Sequence, residues 1–330
     1  MSHGAAPADG RIPVTVVGGY LGAGKTTLVN HLLRNAEGRR IAVLVNDFGE
    51  LPIDADLIES QAGEVIGIAG GCVCCSFGSD LMGALARIAR AEPAPEHVLV
   101  EASGVGLPGS VARSIALVPL FRIDSVAVLA DCETVRSRAA DTYMGDTITR
   151  QLAEADLVIA NKADLVSPGG LAELHAWLAR SAPQARVVEA IRGAVPPAVL
   201  FDDHAPASLR GAGRGLLIGA IAPQGDAAAR YESASFTVRH RVDAAALARA
   251  LTSPGCGVLR AKGVVRDLDG SGSVLHVVGA RTETGPHAGS EAGSNPAGIA
   301  CIGLRGRLDR DAIARAIAAS RDPVNTAKNT

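Results

Sequence analysis

The segment VTVVGGYLGAGKTTLVNHLL, residues 14–33, decides the fold. It reads as a buried strand, a glycine-rich loop and a helix in immediate succession, and Gly19, Gly24, Lys25 and Thr26 satisfy the pattern G-x-x-x-x-G-K-[ST]. The order of the parts carries the physical content. Glycines let the backbone wrap closely around phosphate oxygens, successive N–H groups and the helix N-terminus supply positive partial charge, Lys25 adds a full charge, and Thr26 offers a hydroxyl to Mg²⁺. Gly22 and Thr27 complete the candidate nucleotide-binding set in this loop. A glycine-rich turn that merely joins strand to helix is the plain alternative, and the flanking strand and helix weigh against it.

Outward from this loop, short Val/Ile/Leu runs alternate with helix-like segments: IAVLVN, EVIGIA, HVLVEA, DSVAVLA, DLVIAN and ARVVEA lie among LVNHLLRN, LMGALARIAR and LAELHAWLAR. Continuous apolar runs of this kind predict strands buried on both faces, and hence an α/β, P-loop NTPase domain with a mostly parallel sheet over residues 13–200. Residues 201–230, rich in Gly, Ala and Pro, read as a linker. Residues 231–322 alternate in the manner of a smaller α+β domain with an antiparallel sheet, and the stretch TETGPHAGSEAGSNPAG within it reads as a mobile loop. Residues 1–12 and 323–330 are expected to be a flexible N-terminus and a tail.

Composition narrows the function classes. Of 330 residues 48% are hydrophobic but only 3% aromatic, so the cores must be filled by Ala, Val, Leu and Ile. The 32 basic and 34 acidic residues nearly cancel, which removes any whole-molecule attraction to nucleic acid or an anionic membrane. No apolar run approaches the roughly 18 to 20 residues of a membrane span, and MSHGAAPADGRIP does not read as a signal peptide. A cytoplasmic location follows as the expectation, and with it reduced thiols. Only four of the basic residues are lysines, Lys25, Lys162, Lys262 and Lys328, so each invites a local explanation.

Three further motifs sit at predicted strand ends. In NKAD, Asp164 is placed to accept hydrogen bonds from the N1 and N2 donors of guanine, Lys162 to lie along the base, and Asn161 to tie this loop to the phosphate loop. Its alternative is a polar turn capping the helix after Pro168. In EASG, Glu101 faces the γ-phosphate, where a carboxylate holds Mg²⁺ or orients the attacking water; its alternative is a cap on the next helix. NDFGELPID, residues 46–54, carries Asp47, Glu50 and Asp54 and reads as a switch segment. Lys25, Glu101 and Asp47 are the candidate catalytic residues, and Thr26 with Glu101 the candidate Mg²⁺ ligands.

GGCVCCSFG, residues 70–78, gathers three of the six cysteines. In an extended segment Cys72 and Cys74 share one side, and Cys75 is available if the chain turns. Thiolates suit Zn²⁺, Co²⁺ or Cu⁺ rather than Mg²⁺, and the lack of a second Cys or His cluster makes the site read as open and exchangeable. Burial in a core, a disulfide and a redox sensor are the competing readings. Cys132, Cys256 and Cys301 are isolated and are expected to serve packing.

With GYLGAGKTT, NDFGELPID, GGCVCC, EASG and NKAD in this order, and with GVLRAKGVV and IACIGL later, the chain resembles the CobW family of GTPases, relatives of the hydrogenase and urease nickel-insertion GTPases. The resemblance covers most of residues 13–320 and implies a CobW-type C-terminal domain. It implies GTP binding by Gly24, Lys25, Thr26, Asn161, Lys162 and Asp164, and transition-metal ligation by Cys72 and Cys74 with Cys75 as the third candidate ligand. The expected protein is a GTP-hydrolysing metallochaperone that passes Zn²⁺, or Co²⁺, to a client metalloprotein. A regulatory GTPase with a metal- or redox-sensing cysteine site and a nucleotide-gated zinc buffer are the alternatives. Asp47 and Pro52 stand where the family commonly has Glu and Gly, and the linker carries only His204 where several members have a histidine-rich run.

Overall fold

The computed structural model describes residues 10–36, 38–46, 65–68, 80–201, 230–287 and 297–321. The chain divides into two compact units between Asp202 and Asp203.

The first unit is built on seven parallel strands: β1 (Ile12–Gly19), β2 (Ile41–Asn46), β3 (Val65–Ile68), β4 (His97–Glu101), β5 (Phe121–Asp131), β6 (Leu157–Asn161) and β7 (Arg186–Ala190). Their order across the sheet is β3-β2-β4-β1-β5-β6-β7. Because every pairing is parallel, all seven carboxyl ends lie along one edge, and β1 sits where the strand order reverses. Open α/β sheets bind ligands outside that edge at such a reversal. The helices are α1 (Lys25–Arg34), α2 (Asp80–Ala89), α3 (Pro108–Ala116), α4 (Val135–Ala139), α5 (Gly145–Ala153), α6 (Pro168–Ser181) and α7 (Pro197–Leu200).

Val14 and Val16 of β1 join a core made with Leu85 and Ile88 of α2, Val111 and Ile115 of α3, Ile148 and Leu152 of α5, and Leu174 and Leu178 of α6. Thr15, between them, points to the other face. Its hydroxyl donates to Leu200 O at 2.9 Å and lies 2.9 Å from His97 Nε2. Ser125 Oγ donates to the same carbonyl at 3.4 Å. The end of α7 is thus tied to mid-sheet hydroxyls, and Phe201 stacks on His97 with ring centroids 4.5 Å apart.

The second unit has an antiparallel sheet of order β11-β10-β9-β12-β8. Its strands are β8 (Tyr231–Thr237), β9 (Val258–Arg266), β10 (Gly272–Val278), β11 (Arg281–Pro286) and β12 (Gly298–Leu304). Helices α8 (Ala244–Leu251) and α9 (Arg310–Ala319) contribute Leu247, Leu251, Ile313 and Ile317 to a core with Ala261, Leu275, Val277 and Ile299. Each helix is started by a carboxylate: Asp243 Oδ1 accepts from Ala246 N and Asp309 Oδ1 from Ala312 N, both at 2.8 Å.

One expectation is corrected here. The stretch read as a loop from residue 282 begins instead as strand β11, an edge strand paired with β10 from Val278↔Arg281 to Ser273↔Pro286. The two-residue turn at Gly279, whose φ is 60°, folds it back. The linker reading falls on residues 202–229, outside the described residues. Among the described residues no helix is long and apolar enough to cross a membrane.

Because the first unit owns all seven strands and a core of its own, a fragment ending at residue 205 is expected to fold alone. Urea unfolding followed by far-UV circular dichroism should give one cooperative transition; a fragment without one would show dependence on the second unit.

Candidate nucleotide site

The phosphate loop leaves β1 at Gly19 (φ 130°), where a Cβ would lie 2.6 Å from Leu129 O. It enters α1 through Gly24 (φ 102°), where a Cβ would press on the Asn161 side chain. Both conformations lie in the left-handed region that favours glycine. The N-cap of α1 is Gly24, which has no side chain to cap the helix, and Lys25, the first helical residue, is buried at its start; the N-terminus of such a helix suits an anion. Arg138 of α4 braces the first half of the loop: its Nη1 donates to Leu21 O at 2.8 Å and its guanidinium stands 5.6 Å from the Tyr20 ring centroid.

Thr26 and Glu101 meet although they are on different elements. Glu101 ends β4 beside Val17 in register and is 1% exposed, and Thr26 Oγ1 donates to its Oε1 at 3.1 Å. Two hard oxygens are thereby paired at the head of the phosphate-loop helix. The capping alternative for Glu101 is removed: the N-cap of α3 is Leu107, which makes no side-chain cap, and the N–H of Gly109 in the first turn goes to Glu154 Oε2 at 2.9 Å. The loop after Glu101 is held by Gln151 of α5, a buried amide that donates to Gly104 O at 3.1 Å and Gly106 O at 2.7 Å.

Asn161 ends β6 and makes two bonds at once. Its Nδ2 donates to Ala23 O of the phosphate loop and its Oδ1 accepts from Gly193 N, each at 2.9 Å. Lys162 adopts φ 60°, a left-handed conformation costing a non-glycine residue roughly 1–2 kcal/mol. Its ammonium lies 2.7 Å from Asp131 Oδ2 at the end of β5. Burial pushes the Asp131 carboxyl up, but the hydrogen bond from Lys162 and the N–H of Glu133 outweigh it, and the group sits below the usual carboxylate range. Asp164 is exposed in the short 3₁₀ turn Ala163–Leu165. The capping alternative for NKAD is removed as well, since α6 is capped by Ser167, whose Oγ accepts from Gly170 N at 3.2 Å.

Asp131, Arg138, Gln151 and Gly193 went unnoticed in the sequence, because each acts through contacts far along the chain and none lies in a periodic or motif-like setting. Asp47, Cys72, Cys74 and Cys75 lie outside the described residues. Cys132, Cys256 and Cys301 are buried. Burial, reinforced by nearby Asp131, pushes the Cys132 thiol up to about 12, and burial with Cys256 alongside does the same for Cys301. These thiols stay protonated and suit packing, not metal. Among the described residues no group of three or more His, Cys, Asp and Glu is arranged to hold a metal ion.

A parallel sheet with this loop at its order reversal, a Thr–Glu pair beside the loop and an Asn bridge to it defines a P-loop GTPase fold. The nucleotide-binding domain of CobW/HypB/UreG proteins matches residues 13–189, the cobalamin synthesis protein cobW C-terminal domain matches residues 231–321, and the chain belongs to this family. It is 36% identical over 240 residues to the zinc chaperone CobW of Pseudomonas aeruginosa, covering 62% of this chain and 63% of that protein. It is 30% identical over 192 residues to zinc-regulated GTPase metalloprotein activator 1 of Schizosaccharomyces pombe, covering 55% of this chain and 46% of that protein. The Zn(II)-bound crystal structure of the YjiA GTPase from E. coli is similar over 94% of this chain and 99% of that one, at 19% identity and a TM-score of 0.43. The chain spans less than two thirds of the length of the curated relatives it matches.

Asn161→Ala removes the partners of Ala23 O and Gly193 N together. A loss of about 2–4 kcal/mol in unfolding free energy is expected, from two backbone groups left unsatisfied. Urea unfolding of the nucleotide-free protein measures it.

Proposed function

We propose that this protein binds GTP, hydrolyses it to GDP and phosphate, and uses that cycle to govern a transition metal ion carried by Cys72, Cys74 and Cys75 and passed to a client metalloprotein. The observation that carries the nucleotide part is the Thr26–Glu101 pair at the head of α1, 3.1 Å apart. A hydroxyl and a carboxylate of this spacing suit Mg²⁺, which favours oxygen ligands. Bound there, Mg²⁺ would neutralise charge on the β- and γ-phosphates. Gly19, Gly22, Gly24, Lys25, Thr26 and Thr27 would hold the phosphates through N–H groups, the ammonium and the hydroxyls. In hydrolysis a water oxygen forms the new bond to the γ-phosphorus as the bond to the β–γ bridging oxygen breaks, and GDP leaves with that electron pair. Glu101, and Asp47 from the switch segment, are the carboxylates proposed to orient that water.

Guanine is favoured over adenine because Asp164 is an acceptor-only carboxylate, matched to two adjacent donors on the base. Zinc as the cargo is supported by relatives named zinc chaperone and zinc-regulated GTPase metalloprotein activator, and by the softness of thiolates; Co²⁺ is second. In the GTP state the switch segment and the cysteine segment would be ordered into a metal-competent form. A coupling of about 1–3 kcal/mol would change metal affinity roughly 5- to 150-fold between nucleotide states, enough to bias transfer.

Glu101→Gln keeps size and removes charge, so single-turnover GTP hydrolysis is expected to slow at least about tenfold while GTP affinity stays within a few-fold. A wild-type rate would remove Glu101 from the reaction. Changing Cys72 and Cys74 both to Ser should abolish tight Zn²⁺ binding, measured by competition with a chromophoric chelator, and leave GTP affinity within a few-fold. In the wild type, Zn²⁺ should tighten GTP binding by the factor by which GTP tightens Zn²⁺ binding. Transfer of Zn²⁺ to an apo client separates the chaperone from a sensor or buffer.

A further inference from the structure

We infer that Asp131 is a positioning residue for guanine recognition, acting through Lys162 on the turn that carries Asp164. The inference rests on the GTP reading above and adds a specificity-determining residue to it. Asp131 ends β5 directly opposite Asn161 of β6 in register, so it stands one strand away from the base-reading turn at the same level of the sheet. Its carboxylate is fixed on its own strand, because Oδ1 accepts from Glu133 N at 3.0 Å. The other oxygen, Oδ2, takes the Lys162 ammonium at 2.7 Å.

The pair differs from an ordinary surface ion pair. The Asp131 side chain is only 7% exposed, against 33% for Lys162, and the bond is short and charge-assisted. It also acts on a residue that needs holding, since Lys162 is in the left-handed region at φ 60°. From Lys162 the constraint passes along the backbone: Leu165 N donates to Lys162 O at 3.1 Å, closing the turn in which Asp164 sits. The turn is therefore pinned at two successive residues, Asn161 to the phosphate loop and Lys162 to β5, while Asp164 itself stays exposed for a ligand. Without Asp131, the Lys162 side chain loses its anchor on β5 and the acceptor at Asp164 loses its fixed orientation.

The test is a comparison of Asp131→Asn, Asp131→Glu, Lys162→Met and the double variant Asp131→Asn/Lys162→Met, with GTP, GDP and ATP. Asp131→Asn is expected to weaken GTP and GDP by the same factor, about tenfold, and to raise KM for GTP by that factor with kcat at saturating GTP within twofold. ATP binding should not change, so the preference for GTP over ATP falls equally. Asp131→Glu, which keeps the charge, should recover most of the loss. The double variant should be no worse than Lys162→Met alone. A lower melting temperature with unchanged guanine affinity, a fall in kcat at unchanged KM, or additive effects in the double variant would each overturn the inference. If Asp131→Asn does not fold, the wild type still decides. With only four lysines in the chain, the Lys162 ammonium is resolvable by nitrogen-15 NMR, and it should be protected from solvent exchange both with and without GDP. A freely exchanging Lys162 ammonium in the GDP complex would refute the clamp. Equal binding of ATP and GTP by the wild type would instead bring down the GTP reading itself.

Discussion

The nucleotide edge of this protein depends on one amide. Asn161 bonds at once to Ala23 O, in the phosphate loop, and to Gly193 N, in the loop after β7, and so joins segments 138 and 32 residues away along the chain. Two glycines leave room at the ends of this bridge. At Gly24 a Cβ would occupy the space of the Asn161 amide, and at Gly193 a Cβ would come within 2.8 Å of Leu28 N on α1. Gly24 therefore serves the bridge as well as the wrapping of phosphate. Since Asn161 also opens the NKAD turn, the bridge fixes the distance between the loop that would hold phosphates and the turn that would read a base.

Sheet order then sets how far any signal must travel. β4, carrying Glu101, lies between β1 and β2, and β3 is the outermost strand on that side. β3 ends at Ile68, four residues before Cys72, and β2 ends at Asn46, one residue before Asp47. At a spacing of about 4.8 Å per strand, β1 and β3 are roughly 15 Å apart. Under the proposed function, a change at the phosphates would reach the cysteines across the strand of Glu101 and the strand that leads into the switch segment, with hard oxygens at one end of this path and soft sulfurs at the other.

Much of this was legible in the sequence, and for stated reasons. The strands of a parallel sheet read as short continuous apolar runs, so all seven strands of the first unit stood out, and the phosphate loop carried its own strand and helix as context. The strand β11 was hidden because RTETGP mixes a threonine alternation with Gly and Pro, and edge strands need little apolar content to pair. Local reading also left Glu101 and NKAD with capping alternatives. Those were removed by the groups found at the two helix starts, Glu154 bonded to Gly109 N in the first turn of α3 and Ser167 capping α6, the first of which comes from a distant helix end. Gln151 and Arg138 show the limit most plainly: short helices such as α4 have too few residues to display a period, and an amide or guanidinium that bonds to a distant carbonyl leaves no trace in its neighbours.

The same poverty in aromatic side chains that forced an aliphatic core has a spectroscopic consequence. The chain has a single tryptophan, Trp177, half-buried on α6 and packed against the core of the first unit. Its helix begins four residues after Asp164, at Pro168, directly behind the turn that would read the base. Intrinsic indole emission from the whole protein is therefore a native optical label of the first unit alone. The second unit holds Tyr231 and no tryptophan, so selective excitation of the indole follows the first core without attaching a dye.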